Sequence, residues 1–296
     1  MADEQVFGGY KAMRVGGLHY MRRKVTGHAM MSLSLLAAVA AVSLLFWIIG
    51  YVFIKGIAGI NIDFFTKLPT PVGVPGGGLA NAIVGSVIVV GMAAMMAVPV
   101  GLSTAIYLSE YGRGLFASTV RFTADVLSGV PAIVAGIVAY ALVVSTMGRF
   151  SAFSGSVALA ILMLPIIIRS SEEMLKTVPD ELREASLALG VPRWKTITGV
   201  VLRTASGGLV TGIMLAVARV GGEAAPLIFT AFSNSFWGLR PDQPMATLPV
   251  QIFNYAISPY DDWHEKAWAA ALILIFMVLV LNVTAKLYAG RRTAGR

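Results

Sequence analysis

The feature that most constrains the fold of this chain is a series of long apolar runs with few charged residues. These runs cover 32–54, 79–109, 122–147, 150–171, 204–230 and 266–288. A bilayer core of roughly 30 Å takes about 20 apolar residues per helix, so each run is long enough to cross it. With 57% hydrophobic and only 13% charged residues, the chain is predicted to be an all-α, polytopic membrane protein with six transmembrane helices.

Charge placement predicts how the chain is oriented. A basic tail, residues 1–31, precedes the first apolar run, and a second basic tail, 290–296, follows the last. The first run is longer than the apolar part of a secretory signal, so we interpret it as an uncleaved helix. Six spans across 32–289 put most of the 23 Lys and Arg on the cytoplasmic side, as the positive-inside rule requires, with both termini cytoplasmic.

Several classes of function are disfavoured by the sequence. The formal charge of +8 is explained by basic residues in the predicted cytoplasmic loops, so we expect no nucleic-acid partner. Cysteine is absent and the three histidines are scattered, so we expect no metal site and no cofactor in this chain. The sequence has no Gly-x-x-x-x-Gly-Lys-Ser/Thr loop, so ATP binding by that route would require a partner.

Prolines and glycines predict the finer structure of the spans. We expect kinks at Pro99, Pro131, Pro165 and Pro226, because each removes a backbone donor. Small residues let helices approach closely, which we expect at Gly208 and Gly212 and at Gly85, Ser86 and Gly91. The Pro- and Gly-rich stretch 68–78 reads as an ordered outer loop or as a featureless connector.

The loop between the fourth and fifth runs, 176–203, contains a short helix with clear start and stop signals. Pro179 suits its first turn, acidic residues follow at the positive end of the dipole, and Gly190 supplies a left-handed stop. Its small, mostly apolar face needs a partner, either the membrane surface or another protein, and consists of Leu182, Ala185, Ser186 and Leu189.

The same loop resembles the signature loop of importer permeases, Glu-Ala-Ala followed at fixed spacing by Gly and by Ile-x-Leu-Pro. This chain has Ser186, Val200 and Arg203 where that pattern has Ala, Ile and Pro. In that family the loop is a coupling helix that docks on a separate ATPase. The resemblance assigns ATPase coupling to Glu181, Glu184, Ala185, Ser186 and Gly190.

Three further strings narrow the resemblance to permeases of phosphate-specific ABC importers: Gly-Gly-Gly-Leu-Ala-Asn-Ala at 76–82, Ile-Tyr-Leu-Ser-Glu-Tyr-Gly at 106–112 and Gly-Glu-Ala-Ala-Pro-Leu at 222–227. The resemblance implies a type I importer permease fold in a bacterial inner membrane. It also implies a non-catalytic subunit with three kinds of partner: a homologous second permease, two copies of an ATP-binding subunit and an external phosphate-binding protein.

Arg219 and Glu223 are charged residues inside the fifth run, where charges are costly and usually functional. If the helix continues, they share a face, so that Arg219 could meet a phosphate oxygen while Glu223 holds it in place. The alternative is a structural ion pair. Arg169 could help an anion leave or could extend to the headgroups, and Asp125 is expected to pair locally with Arg121.

Two rival functions remain open at this point. In a secondary anion carrier driven by an ion gradient, Arg219 and Glu223 would be the coupling pair. A non-transporting scaffold or sensor subunit would need neither residue. The coupling-helix string favours an ATP-driven permease over both.

Overall fold

The structure is a computed structural model that describes residues 17–74 and 76–294, and this part of the chain contains helices and no β-strand. The prediction of an all-α fold is therefore confirmed. The α-helices are α1 (Gly17–Ala58), α2 (Ile62–Thr66), α3 (Ala80–Ile106), α4 (Leu115–Ser128), α5 (Ala132–Ala139), α6 (Ser145–Met147), α7 (Ala152–Lys176), α8 (Asp180–Ala188), α9 (Arg193–Thr196), α10 (Leu202–Val220), α11 (Ala225–Ile228), α12 (Leu248–Ala256) and α13 (Asp261–Ala294). The π-helical segments are π1 (Tyr107–Tyr111), π2 (Tyr140–Val144) and π3 (Ile197–Val201).

Within the described residues, five helical stretches are long and apolar enough to cross a membrane. A sixth crossing is formed if the bent pair α4 and α5–α6, Leu115–Ser128 with Ala132–Met147, counts as one. The five are Tyr20–Ala58, Ala80–Tyr111, Ala152–Lys176, Arg193–Val220 and Asp261–Leu287. Each corresponds to an apolar run of the sequence, so the chain is a multi-pass membrane protein.

The helices at both ends extend beyond the apolar runs that predicted them. The chain divides into two compact units, Met1–Tyr51 and Val52–Arg296. In the first unit the described residues belong to α1, which begins at Gly17 and not at 32. At the other end α13 continues to Ala294, past the predicted boundary at 290. Lys and Arg are good helix formers, so basic residues mark where a span leaves the membrane and not where its helix ends.

The third predicted span, 122–147, is not one straight helix. It starts earlier, at Leu115, and α4 and α5 meet at an angle of 107°. Gly129 ends α4, and Pro131 lies immediately before α5. Proline cannot donate a backbone hydrogen bond and disfavours helical geometry in the residue before it, which explains the break. By contrast, Pro99 and Pro165 lie inside the continuous helices α3 and α7.

The largest buried cluster joins α3, α7 and α10 through small side chains and glycines. Val89, Ala93 and Ala97 of α3 are almost fully buried against α7 and α10. A Cβ added at Gly208 would meet Met174 at 2.4 Å, and one at Gly212 would meet Ser170 at 2.8 Å. The predicted packing role of the two glycines of α10 is confirmed.

A second buried cluster joins the start of α3 to α2, α12 and α13, and hydrogen bonds link the described residues of the adjoining stretch, 68–74 and 76–78. Gly78 donates a backbone hydrogen bond to Leu68, and the Thr70 hydroxyl donates to the carbonyls of Val74 and Gly76. A Cβ on Gly78 would meet the carbonyl oxygen of Asp63 at 2.2 Å, so glycine is required there. The described residues of this stretch thus form a hydrogen-bonded loop, as the first of the two interpretations predicted.

Candidate functional site

Helix α8 forms where its start and stop signals predict it. Pro179 precedes the first residue, Asp180 and Glu181 occupy the first turn, and Gly190 has a φ of 78°. That left-handed conformation is one that glycine adopts without strain, so it ends the helix. The loop therefore presents a rigid helix of two and a half turns, about 14 Å long, and not a flexible connector.

The face of α8 predicted to need a partner is divided in the structure. Leu182 and Ala185 are exposed, and Leu189 is 84% exposed. Ser186 instead points inward, where its hydroxyl lies 2.9 Å from the buried hydroxyl of Thr196 in α9. Glu181, Glu184 and Gly190 are exposed on the outside. The outer face of α8 thus combines two carboxylates with exposed apolar side chains.

Arg183 fastens the inner face of α8 to two spans. Its Nη2 lies 2.9 Å from Glu110 Oε1 in π1, at the end of the second span. The same nitrogen donates to the carbonyl oxygen of Leu175 at 2.9 Å, and Nη1 lies 3.1 Å from Asp180 Oδ1. The side chains of Arg183 and Glu110 are only 17% and 6% exposed, so this ion pair is largely shielded from water.

Arg193, the first residue of α9, also reaches π1. It donates a hydrogen bond to the backbone carbonyl of Glu110, and its guanidinium lies 4.6 Å from the centre of the Tyr111 ring. The segments before and after the α8–α9 turn are therefore both tied to the same short segment of the second span.

A buried carboxylate, Glu172 in α7, was not singled out from the sequence. Its Oε1 lies 2.7 Å from Arg121 Nε and 2.6 Å from Lys176 Nζ, and its side chain is 1% exposed. Arg121 also donates to the carbonyl oxygen of Leu108 in π1 at 2.7 Å. The signal that could have found it was an acidic residue directly after the fourth apolar run with a lysine four residues later.

The expected local pair between Arg121 and Asp125 is wrong, because Arg121 turns to Glu172. Asp125 pairs instead with Arg169, at 3.2 Å between Oδ1 and Nε. Both of these side chains are about half exposed, so the pair links α4 to α7 near the surface of the described chain. The expectation that Arg169 serves the substrate pathway stays a prediction.

Arg219 and Glu223 do not share a helix face, which corrects the sequence-based expectation. The helix α10 ends at Val220, one residue after Arg219, and Glu223 lies in the following turn with its backbone N–H bonded to the carbonyl of Val220 at 3.0 Å. Two consecutive glycines and the nearby Pro226 end the helix. No ion pair joins the two side chains in the described chain, so Arg219 is an exposed guanidinium with no carboxylate partner there.

The charged side chains around α8 form ion pairs and line a polar cleft. No group of three or more His, Asp or Glu within residues 17–74 and 76–294 could hold a metal ion. The polar cleft beside α8 has a volume of about 480 Å³ and is lined by charged residues of π1 and α8, including Glu110, Arg183 and Glu184. An exposed helix anchored by the largely buried Arg183–Glu110 ion pair can receive a force and pass it to the spans.

Comparison with solved structures defines the fold. The fold is similar to a chain of the MetNI methionine ABC transporter in inward facing conformations, with a TM-score of 0.62 and 17% identity, over 72% of this chain and 95% of that chain. A chain of an amino acid ABC transporter is also similar, with a TM-score of 0.53 and 17% identity, over 71% of this chain and 92% of that chain. The fold is that of a membrane-spanning ABC importer permease.

Sequence comparison identifies the family. Residues 97–293 match the binding-protein-dependent transport system inner membrane component family. Phosphate transport system permease protein PstA of Yersinia pestis is 46% identical over 82% of this chain and 83% of its own length. The protein of that name from Xylella fastidiosa is 45% identical over 90% of this chain and 93% of its own length. The chain belongs to this permease family and, within it, to the PstA group.

Proposed function

We propose that this chain is the transmembrane permease subunit of an ATP-driven importer that moves inorganic phosphate across the bacterial inner membrane. The observation that carries the proposal is α8, whose outer face is exposed while Arg183 fastens its inner face to the second and fourth spans. The substrate is inferred from the PstA relatives, which are named as parts of phosphate transport systems. ATP is bound and hydrolysed by a separate subunit that docks on the exposed residues Glu181, Glu184, Ala185 and Gly190, while Ser186 holds α8 against α9.

The partners follow from the same reasoning. A homologous second permease completes the pathway, two copies of the ATP-binding subunit contact the cytoplasmic side, and an external phosphate-binding protein delivers the substrate. This subunit itself has no catalytic role, carries no cofactor and binds no nucleic acid. Both of its termini lie on the cytoplasmic side, as the basic tails at 1–31 and 290–296 favour.

Arg219 is the residue that we assign to phosphate passage. An exposed guanidinium without a carboxylate partner in the described chain is available to donate two parallel hydrogen bonds to a phosphate. Glu223, half-buried in the turn three residues beyond the end of α10, keeps the local charge balanced when no anion is present. Arg169, at the α4–α7 link, acts later in the pathway and exchanges Asp125 for the passing anion.

The proposed function is tested by phosphate uptake into vesicles that contain the complete complex. We expect uptake to require the external binding protein and ATP at the cytoplasmic face, and to persist when an uncoupler removes ion gradients. Uptake that continues without ATP and stops with the uncoupler would identify a secondary anion carrier instead. Absence of any uptake by the complete, assembled complex would favour a non-transporting scaffold or sensor subunit.

The role of Arg219 is tested by Arg219→Ala in the same assay. A hydrogen bond to a charged group contributes about 1.5–3 kcal/mol, so losing it should reduce uptake by roughly 10-fold or more. The matched control is Arg240→Ala, which removes an exposed arginine from the loop after α11. Assembly with the other subunits should be unchanged in both variants. Wild-type uptake by Arg219→Ala would refute the assigned role.

A further inference from the structure

Three arginines from three different helices converge on π1, the short π-helical segment that ends the second span. Arg121 of α4 donates to the carbonyl oxygen of Leu108 at 2.7 Å. Arg183 of α8 pairs with the Glu110 carboxylate at 2.9 Å. Arg193 of α9 donates to the Glu110 carbonyl and lies over the Tyr111 ring.

The backbone of π1 explains why arginines gather there. The last carbonyls of a helix have no partner within it, and π-helical segments occur frequently at functional sites. The helix ends at Gly112, so the carbonyls of Leu108 and Glu110 belong to this unpaired set. Arg121 of α4 and Arg193 of α9 donate hydrogen bonds to these carbonyls in place of the N–H groups of a further helical turn. The end of the second span is thereby fixed to elements on either side of it.

Glu110 is the only member of this arrangement that supplies a negative charge to α8. Its side chain is 6% exposed, and the partner guanidinium is 17% exposed. An exposed ion pair contributes little, but breaking a buried pair leaves an uncompensated charge away from water. The Arg183–Glu110 contact should therefore persist when α8 moves. The same guanidinium also donates a hydrogen bond to the Leu175 carbonyl at the end of α7.

We propose that Glu110 is a positioning residue that transmits movement of α8 into the second span. The Leu108–Arg121 contact then passes the movement to α4 and so to the bent pair α4–α5. The inference rests on the proposed function, in which the ATPase acts on α8. It concerns a different set of residues, because Glu181 and Glu184 lie on the outer face of α8 and Glu110 lies behind it.

The first test compares Glu110→Gln with Glu173→Gln in the reconstituted complex. Gln keeps the volume of Glu and one carbonyl acceptor but removes the charge, and Glu173 is an exposed glutamate of α7. Coupling free energies between sites correspond to changes of about 5-fold or more. We expect Glu110→Gln to lower the number of phosphates imported per ATP hydrolysed by at least about 5-fold, with the ATPase subunits still bound. Glu173→Gln should match the wild type.

A double-mutant cycle separates transmission from a general structural effect. Arg183→Gln should lower the same ratio. The Glu110→Gln/Arg183→Gln double variant should be no worse than the poorer single variant, because both substitutions remove the same Arg183–Glu110 contact. Additive losses would overturn the proposal. So would a fall in uptake and ATP hydrolysis in equal proportion, or a ratio equal to that of the wild type.

A second measurement needs no substitution at Glu110. The chain contains no cysteine, so Arg113→Cys and Leu187→Cys create a unique pair of spin-label sites on either side of the contact. If π1 and α8 move together, the distance between the labels should be the same in the ATP-free and ATP-bound complex. A change of one helical turn, about 5.4 Å, would overturn the proposal.

The two proposals fail in different ways. If the wild-type complex imports no phosphate with ATP, the proposed function is wrong. If the wild type imports phosphate and Glu110→Gln keeps the wild-type ratio, only the role of Glu110 is wrong.

Discussion

Gly85 and Gly91 lie on the same helix, α3, and the same substitution at each should change stability in opposite directions. A Cβ added at Gly85 would lie 2.0 Å from the carbonyl oxygen of Ala246, roughly 1.3 Å closer than an ordinary carbon–oxygen contact of about 3.3 Å. That carbonyl cannot easily retreat, because the Ser86 hydroxyl accepts a hydrogen bond from the backbone N–H of Leu248 at 2.7 Å. At Gly91 a Cβ would meet nothing within 4 Å.

The magnitudes follow from two opposing effects. Ala is favoured over Gly in a helix by about 1 kcal/mol, and overpacking in a filled interior costs about 1–3 kcal/mol. Because the obstacle at position 85 is backbone, we expect the upper end of that cost and a net loss of about 2 kcal/mol in the free energy of unfolding. Gly91→Ala should gain up to about 1 kcal/mol.

The assay is thermal stability of the purified permease, followed by the loss of the monodisperse fraction after heating. At about 2 °C per kcal/mol for a chain of this size, Gly85→Ala should melt roughly 4 °C below the wild type and Gly91→Ala slightly above it. Equal stability of the two variants, or a more stable Gly85→Ala, would show that α3 and the Ala246 loop are not in contact and would refute the reasoning.

Two further predictions concern α8. Ser186→Ala introduces the residue of the importer signature but leaves the buried Thr196 hydroxyl without its partner, so it should lower the free energy of unfolding by about 1–3 kcal/mol. Adding Thr196→Val should recover most of this loss in thermal unfolding. A Ser186→Ala protein as stable as the wild type would contradict the prediction. Glu184→Arg reverses a charge on the exposed face, so less ATPase subunit should co-purify than with the control Glu173→Arg, and undiminished co-purification would disprove the docking role.

The sequence predicted those elements whose causes are local. Apolar runs of about 20 or more residues with few charges predicted the spans, because the thickness of a bilayer sets their minimum length. Proline and glycine predicted both ends of α8. The break between α4 and α5 was underestimated, although Gly129 and Pro131 were visible. The same is true of Gly221 and Gly222, which end α10 before Glu223 and so separate it from Arg219.

The charge pairs could not be predicted, because their partners are far apart in the sequence. Arg183 and Glu110 are separated by 73 residues, and Arg121 and Glu172 by 51. Which of several arginines pairs with which carboxylate depends on how the spans pack, and local sequence patterns do not determine that packing. The one pair that was assigned from local spacing, Arg121 with Asp125, was wrong because Glu172 offers Arg121 a buried site.

The acidic residues near α8 form two groups, one exposed and one buried, and substitutions in the two groups should have different effects. Glu181 and Glu184 are exposed, so their charges are solvated and cost little until a partner covers them. Glu110 and Glu172 are buried, and each holds an arginine whose other hydrogen bonds run to the end of a span. A force applied to the outer face therefore meets contacts that are costly to break before it reaches the membrane. This arrangement separates docking from transmission: changing an exposed carboxylate should alter how much ATPase is bound, whereas neutralising Glu110 should alter how much transport each hydrolysed ATP yields.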